Sequence, residues 1–124
     1  DVPSQAFDIV IVGDVIEHVD DVSGFLTDLG STYDFSLLVV STPNAFRLRN
    51  RLSFRAELIN SDHRCWFSPY TLTKSLTAAN YSVASLEMTH VFRGRSALAR
   101  SLWNAPHRVF PLRQDGLLAI AAPV

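Results

Sequence analysis

The sequence predicts an α/β fold with a mostly parallel sheet, and three features carry that expectation. Ile9-Val10-Ile11-Val12 is an unbroken β-branched run closed by Gly13, the pattern of a strand buried on both faces. Val22, Phe25, Leu26 and Leu29 then recur at i, i+3, i+4 and i+7, one face of a helix packed on a sheet. Phe35 to Ser41 is a second, mostly apolar strand. Strand, helix and strand make a βαβ unit, which calls for parallel strands and a right-handed crossover.

Size and composition set the outer bounds. A chain of 124 residues is one domain at most and is large enough to bury a core. With 48% apolar and 19% charged residues, it falls in the ordinary range for a soluble globular protein. No apolar stretch approaches the roughly 20 residues that span a bilayer, and Asp-Val-Pro-Ser-Gln at the start is unlike a signal peptide. Cys65 stands alone, so no disulfide framework exists and a cytoplasmic, reducing setting is expected. Charge is uneven: residues 1–46 hold eight acids and no Lys or Arg, and residues 47–124 hold all eleven basic residues against four acids. We read this as two oppositely charged faces of one folded unit, ahead of a phosphate-bearing partner.

Taken in order, the first strand ends at Gly13, and Asp14, Glu17 and His18 follow at once. Open α/β sheets bind ligands just beyond the carboxyl ends of their strands, so these side chains stand where chemistry is expected. Asp20 and Asp21 suit the positive end of the helix that follows, and Gly30 reads as its stop. After the second strand, Pro43 forces a turn at Thr42-Pro43-Asn44. Residues 45–60 read as a helix over the mouth of the site, with Arg47, Arg49, Arg51 and Arg55 as a solvated basic face in preference to an anion site. Ser68 is a good N-cap and Pro69 suits the first helical position, with Leu72, Leu76 and Ala79 on one face and Asn80 as the close. Residues 81–91 read as a more polar strand near an edge. A helix over 96–105 broken at Pro106, and a last buried strand over Leu117–Ala122, complete the chain.

The Phe7–His18 segment, Phe-Asp-Ile-Val-Ile-Val-Gly-Asp-Val-Ile-Glu-His, resembles the fourth strand and following loop of class I S-adenosylmethionine-dependent methyltransferases. The likeness lies with a subgroup that includes ubiquinone-pathway O-methyltransferases and small-RNA 2′-O-methyltransferases. Ser41-Thr42-Pro43-Asn44 resembles what that subgroup carries after its fifth strand, beside the substrate pocket. Asp62-His63, followed by aromatics and a new helix, extends the likeness, which covers about residues 7–90. It implies that residues 1–124 are a partial domain, the second half of a Rossmann-like methyltransferase fold, without the glycine-rich cofactor-binding half. The family's strand order places the four strands here as first, second, fourth, third, with the last one antiparallel. The first strand would then be an open apolar edge, needing the N-terminal half or a second chain to cover it.

The resemblance also implies roles. Gly13, Asp14 and Val15 fall where family members contact the methionine part of S-adenosylmethionine, against the plainer reading of Asp14 as a turn cap. Glu17 and His18 are the candidate catalytic pair, with His18 as general base or substrate-positioning group. Asn44, His63 and Trp66 are candidates for the substrate side, although aromatics at a helix start more often belong to a core. In the small-RNA enzymes, residues matching Asp14, Glu17, His18 and His63 hold a divalent metal, Mg or Mn. Here Glu17, His18 and His63 are the candidate ligands, with hydrogen bonding alone as the preferred alternative. His90 and His107 have no recognisable partners, and Cys65 lacks a base that would make it a nucleophile. The implied function is methyl transfer to a hydroxyl acceptor, small molecules being favoured over RNA. The competing expectation is a non-catalytic assembly module that pairs its open sheet edge with a partner.

Overall fold

The structure is a computed structural model and describes residues 6–47, 50, 62–89 and 115–124. Four strands form one sheet: β1 (Ala6–Gly13), β2 (Asp34–Pro43), β3 (Tyr81–Thr89) and β4 (Gly116–Pro123), in the order β1-β2-β4-β3. β1 and β2 run parallel, joined by helix α1 (Val22–Thr32), whereas β4 lies antiparallel between β2 and β3. The expected order and the antiparallel last strand are therefore both present, and the more polar β3 is an edge strand. The expected helices over 45–60 and 96–105, with His90 and His107, lie outside the described residues apart from the turn at 45–47 and Asn50.

The register builds the core. Val10 and Val12 of β1 sit opposite Leu38 and Val40 of β2, which in turn face Ala121 and Ala119 of β4. Side chains two apart share a face, and Leu26 of α1 packs on this face with Leu72 and Leu76 of helix α2 (Pro69–Ala78) and with Ala79, its C-cap. Leu26, Leu38, Val40, Leu72 and Leu76 are fully buried. α2 begins as the sequence dictates: Ser68 Oγ accepts from Thr71 N (3.1 Å) and Thr71 Oγ1 accepts from Ser68 N (2.8 Å), a reciprocal cap. Asn80 closes it in the left-handed region, φ 63°, which Asn tolerates better than most residues.

Two expectations are corrected. β1 is buried on one face only: Val12 is 5% exposed, but Ile9 is 50% and Ile11 73% exposed. The two described helices pack on the Val12 face; on the other face Tyr33 meets Phe7 edge-on, and Phe7, Ile9 and Ile11 remain exposed on the sheet's end strand. Gly30 does not end α1, which continues to Thr32 without a left-handed residue. Its reason is lateral: a Cβ there would stand 2.8 Å from the Tyr81 hydroxyl. That hydroxyl donates to the Leu26 carbonyl (2.9 Å), tying β3 to α1, while the Tyr81 ring stacks on Phe35.

Burial raises the Tyr81 pKa above its ordinary 10.0, because the phenolate would lose water without gaining a partner. The unfolded chain then gives up this proton first, so stability is undiminished below about pH 10 and falls as pH climbs toward the folded-state value. Tyr81→Phe should lose about 0.5–1.5 kcal/mol at neutral pH and show a flatter alkaline decline than the parent. Equal alkaline slopes in urea titrations of the two proteins would contradict this.

Candidate functional site

The site is assembled at the carboxyl ends of β1 and β2 from two turns and one returning segment. After Gly13, Asp14 takes a left-handed conformation, φ 51°, and its N–H donates to Ser41 O (2.9 Å). Its carboxylate is exposed and accepts from Ser41 Oγ (3.3 Å). The chain then makes a short 3-10 turn over Ile16–His18. Ile16 is fully buried and anchors this turn, which sends the Glu17 side chain inward, 2% exposed, and leaves His18 exposed.

Residues 62–65 come back across this turn and clasp it. Arg64 N (2.7 Å) and Cys65 N (3.0 Å) both donate to the Glu17 carbonyl. Cys65 Sγ lies 3.5 Å from Val19 O, and the Arg64 guanidinium pairs with Asp20. His18 Nδ1 lies 3.1 Å from the Asp62 carbonyl. A carbonyl can only accept, so Nδ1 is the donor in this contact and Nε2 lies outside it. The His63 ring meets that of His18 edge-on, with centroids 4.9 Å apart at 89°.

One ligand atom from each of Glu17, His18 and His63 lies within 4.8 Å of the others. The three candidates drawn from distant stretches of sequence therefore meet in one place. Ligands about 2.0–2.1 Å from one small cation stand about 3–4 Å apart, so separations near the outer limit would have to close by roughly 1–2 Å. Two imidazoles with a carboxylate suit Mn²⁺ better than Mg²⁺, which favours an all-oxygen shell.

Asn44 is 3% exposed and serves its own turn: its N–H donates to Asp115 O (2.8 Å), and its Oδ1 accepts from Phe46 N (3.2 Å). It also bridges to Phe67, bringing the end of β2 beside the start of α2. Trp66 is 47% exposed, and Val15 40%, so both offer apolar surface at this end of the sheet. Gly13 and Asp14 border the same end, joined to β2 through Ser41.

Sequence reasoning missed Thr42. Its Oγ1 donates to Glu17 Oε2 (2.9 Å), and it is 1% exposed. A signal was present: Leu38, Val40 and Thr42 alternate on the buried face, and a hydroxyl at such a position needs a partner.

Comparison with known proteins gives a family and a fold. Residues 1–86 match the sequence profile of a family described as a methyltransferase domain. No curated protein matches by sequence. A SAM-dependent methyltransferase from Archaeoglobus fulgidus superposes with a TM-score of 0.63 at 18% identity, covering 97% of this chain and 61% of that one. The small RNA methyltransferase HEN1 superposes at 0.67 and 24% identity, covering 99% of this chain and 14% of that one. A structure of the Haloferax volcanii Trm112 methyltransferase activator in complex with a methyltransferase matches at 0.65 and 14% identity, covering 100% of this chain and 58% of its counterpart. At these identities the likeness is one of fold, and the chain spans less than two thirds of each of these relatives.

Proposed function

Because the chain belongs to the methyltransferase domain family, we propose that it forms the acceptor-side half of an S-adenosylmethionine-dependent O-methyltransferase. The observation that carries this reading is the meeting of Glu17, His18 and His63 beyond the carboxyl ends of β1 and β2. S-Adenosylmethionine, when bound, supplies a methyl group on a sulfonium, and its transfer to oxygen breaks the carbon–sulfur bond and leaves a thioether. The chain's own task is to align an acceptor hydroxyl and remove its proton. In the neutral His18 ring, Nδ1 donation to Asp62 O selects the tautomer whose Nε2 is the acceptor, and that Nε2 is the group suited to take it. The exposed Asp14 carboxylate, at a left-handed turn flanked by Gly13 and Val15, can accept hydrogen bonds from the cofactor's ammonium group. Trp66 and His63 offer an apolar and a polar wall for the acceptor. Small hydroxyl compounds are the proposed class. HEN1's RNA substrate belongs to that protein, and here RNA remains the second acceptor class. No helix among the described residues is long and apolar enough to cross a membrane, and the cytoplasmic setting is proposed from the single cysteine alone.

A second reading concerns the same cluster and a divalent cation. Glu17 is 2% exposed, and the neutral hydroxyl of Thr42 is its side chain's only hydrogen-bond partner among the described residues. A carboxylate so enclosed gains from a cation beside it. That supports Glu17, His18 and His63 as ligands of Mn²⁺, which would polarise a bound acceptor hydroxyl.

On this reading residues 1–124 are a partial domain, completed by a cofactor-binding half that covers the open edge of β1. Calorimetry with S-adenosylmethionine should show no micromolar binding to the 124-residue chain. Joining a half that carries the glycine-rich cofactor loop should restore it. Micromolar binding by the 124-residue chain would refute the partial-domain reading. Failure of the joined protein to bind would favour an assembly module that pairs its sheet edge with a partner.

A further inference from the structure

We propose that Thr42 is a positioning residue that aims the Glu17 carboxylate and thereby sets the cation affinity of the Glu17, His18 and His63 cluster. The inference rests on the cation reading given above. Glu17 sits on a short turn whose backbone is fixed by Ile16 below and by Arg64 N and Cys65 N above. That clasp holds only the main chain. The side chain still has its own torsions to settle, and among the described residues one hydrogen bond settles them: Thr42 Oγ1 to Glu17 Oε2 at 2.9 Å. Both partners are buried, 1% and 2% exposed, so water does not compete for the contact.

The hydroxyl engages one carboxylate oxygen and leaves the other without a protein donor among the described residues. An acceptor left without a donor in a buried site is costly, and a cation held jointly with the two imidazoles relieves that cost. His18 is oriented in the same manner, through its Nδ1 contact to the Asp62 carbonyl. Groups that sit behind metal ligands and orient them commonly change affinity about 10–100-fold when removed. Thr42 is suited to the task because it is buried on a strand that the ladder with β4 holds in place. It is the penultimate residue of β2, in register with Leu117 of β4 and one residue beyond the last β1–β2 pair, Gly13 with Ser41.

The test is a Mn²⁺ titration of the 124-residue chain followed by electron paramagnetic resonance, with circular dichroism recording the fold of each variant. Thr42→Val keeps the shape and removes the donor, and Thr42→Ser keeps the donor. Glu17→Gln reports on the cation reading itself. Expected are parent-like affinity in Thr42→Ser, a loss of about 10-fold or more in Thr42→Val, and a loss in Glu17→Gln. If Thr42→Val is misfolded by circular dichroism, Thr42→Ala against Thr42→Ser supplies the same comparison. Parent-like affinity in folded Thr42→Val, alongside a loss in Glu17→Gln, would overturn the role of Thr42 and leave the cation reading standing. Absence of Mn²⁺ binding by the parent, or unchanged affinity in Glu17→Gln, would overturn the cation reading and this inference with it. A residue that served stability alone would lower the melting temperature in Thr42→Val without moving the affinity.

Discussion

Leu38→Ala is expected to remove about 2–5 kcal/mol of stability, the cost of deleting a fully buried leucine and leaving a cavity. Leu38 has no solvent exposure and lies in β2, flanked by Val10 of β1 and Ala121 of β4, with the helices closing over the same face. Its neighbours belong to ladders on both sides, so the surroundings cannot collapse into the gap without shifting a strand. A domain's whole stability is about 5–15 kcal/mol, so this single change takes a large share of it. Denaturant unfolding should show a lower midpoint at unchanged slope. Ile11→Ala is the matched control: Ile11 is 73% exposed, and in the 124-residue chain its truncation should fall within about 0.5 kcal/mol of the parent. A loss below 1 kcal/mol in Leu38→Ala, or one as large in Ile11→Ala, would mean that the core lies on the other face.

His63→Ala is expected to weaken Mn²⁺ binding by at least about 100-fold, beyond the range for groups that merely orient ligands. The reason is the ligand count. With His63 present, three donors from two separated stretches of chain would face a cation, and without it only the adjacent Glu17 and His18 would remain. The edge-on contact between the two imidazoles disappears as well, and with it one restraint on the exposed His18 ring. Isothermal titration of parent and variant gives the comparison directly. Equal affinities would take His63 out of the cluster and leave it a substrate-side or structural residue.

Much of the fold is legible because each local signal agrees with the packing it serves. The Ile9–Val12 run, the Val22–Leu29 spacing and the Ser68-Pro69 start each identify an element that exists. The strand order followed from the family likeness, not from any residue pattern. Gly30 was misread because a glycine near a helix end has two possible reasons, and the second, room for the Tyr81 hydroxyl, depends on a residue 51 positions further on. The two-sided burial of β1 was misread for a related cause. A β-branched run marks a strand but does not say which faces are covered. At the site, Glu17, His18 and His63 were chosen by residue type and resemblance. Thr42 was passed over because a threonine before proline reads as part of a turn. Its meaning comes only from Glu17, on the turn that follows another strand 25 residues earlier.

The insertion of β4 between β2 and β3 has a consequence for the order in which the molecule can be made. β2 and β3 share no ladder, and each joins the sheet on that side only through Gly116–Pro123. A growing chain can therefore pair β1 with β2 early. β3 has no partner strand in this sheet until Gly116–Pro123 have left the ribosome, roughly a few seconds after β3 at ordinary synthesis rates. During that interval one side of β2 and the whole of β3 present open backbone groups. Any premature stop before Gly116 would leave both of them open for good.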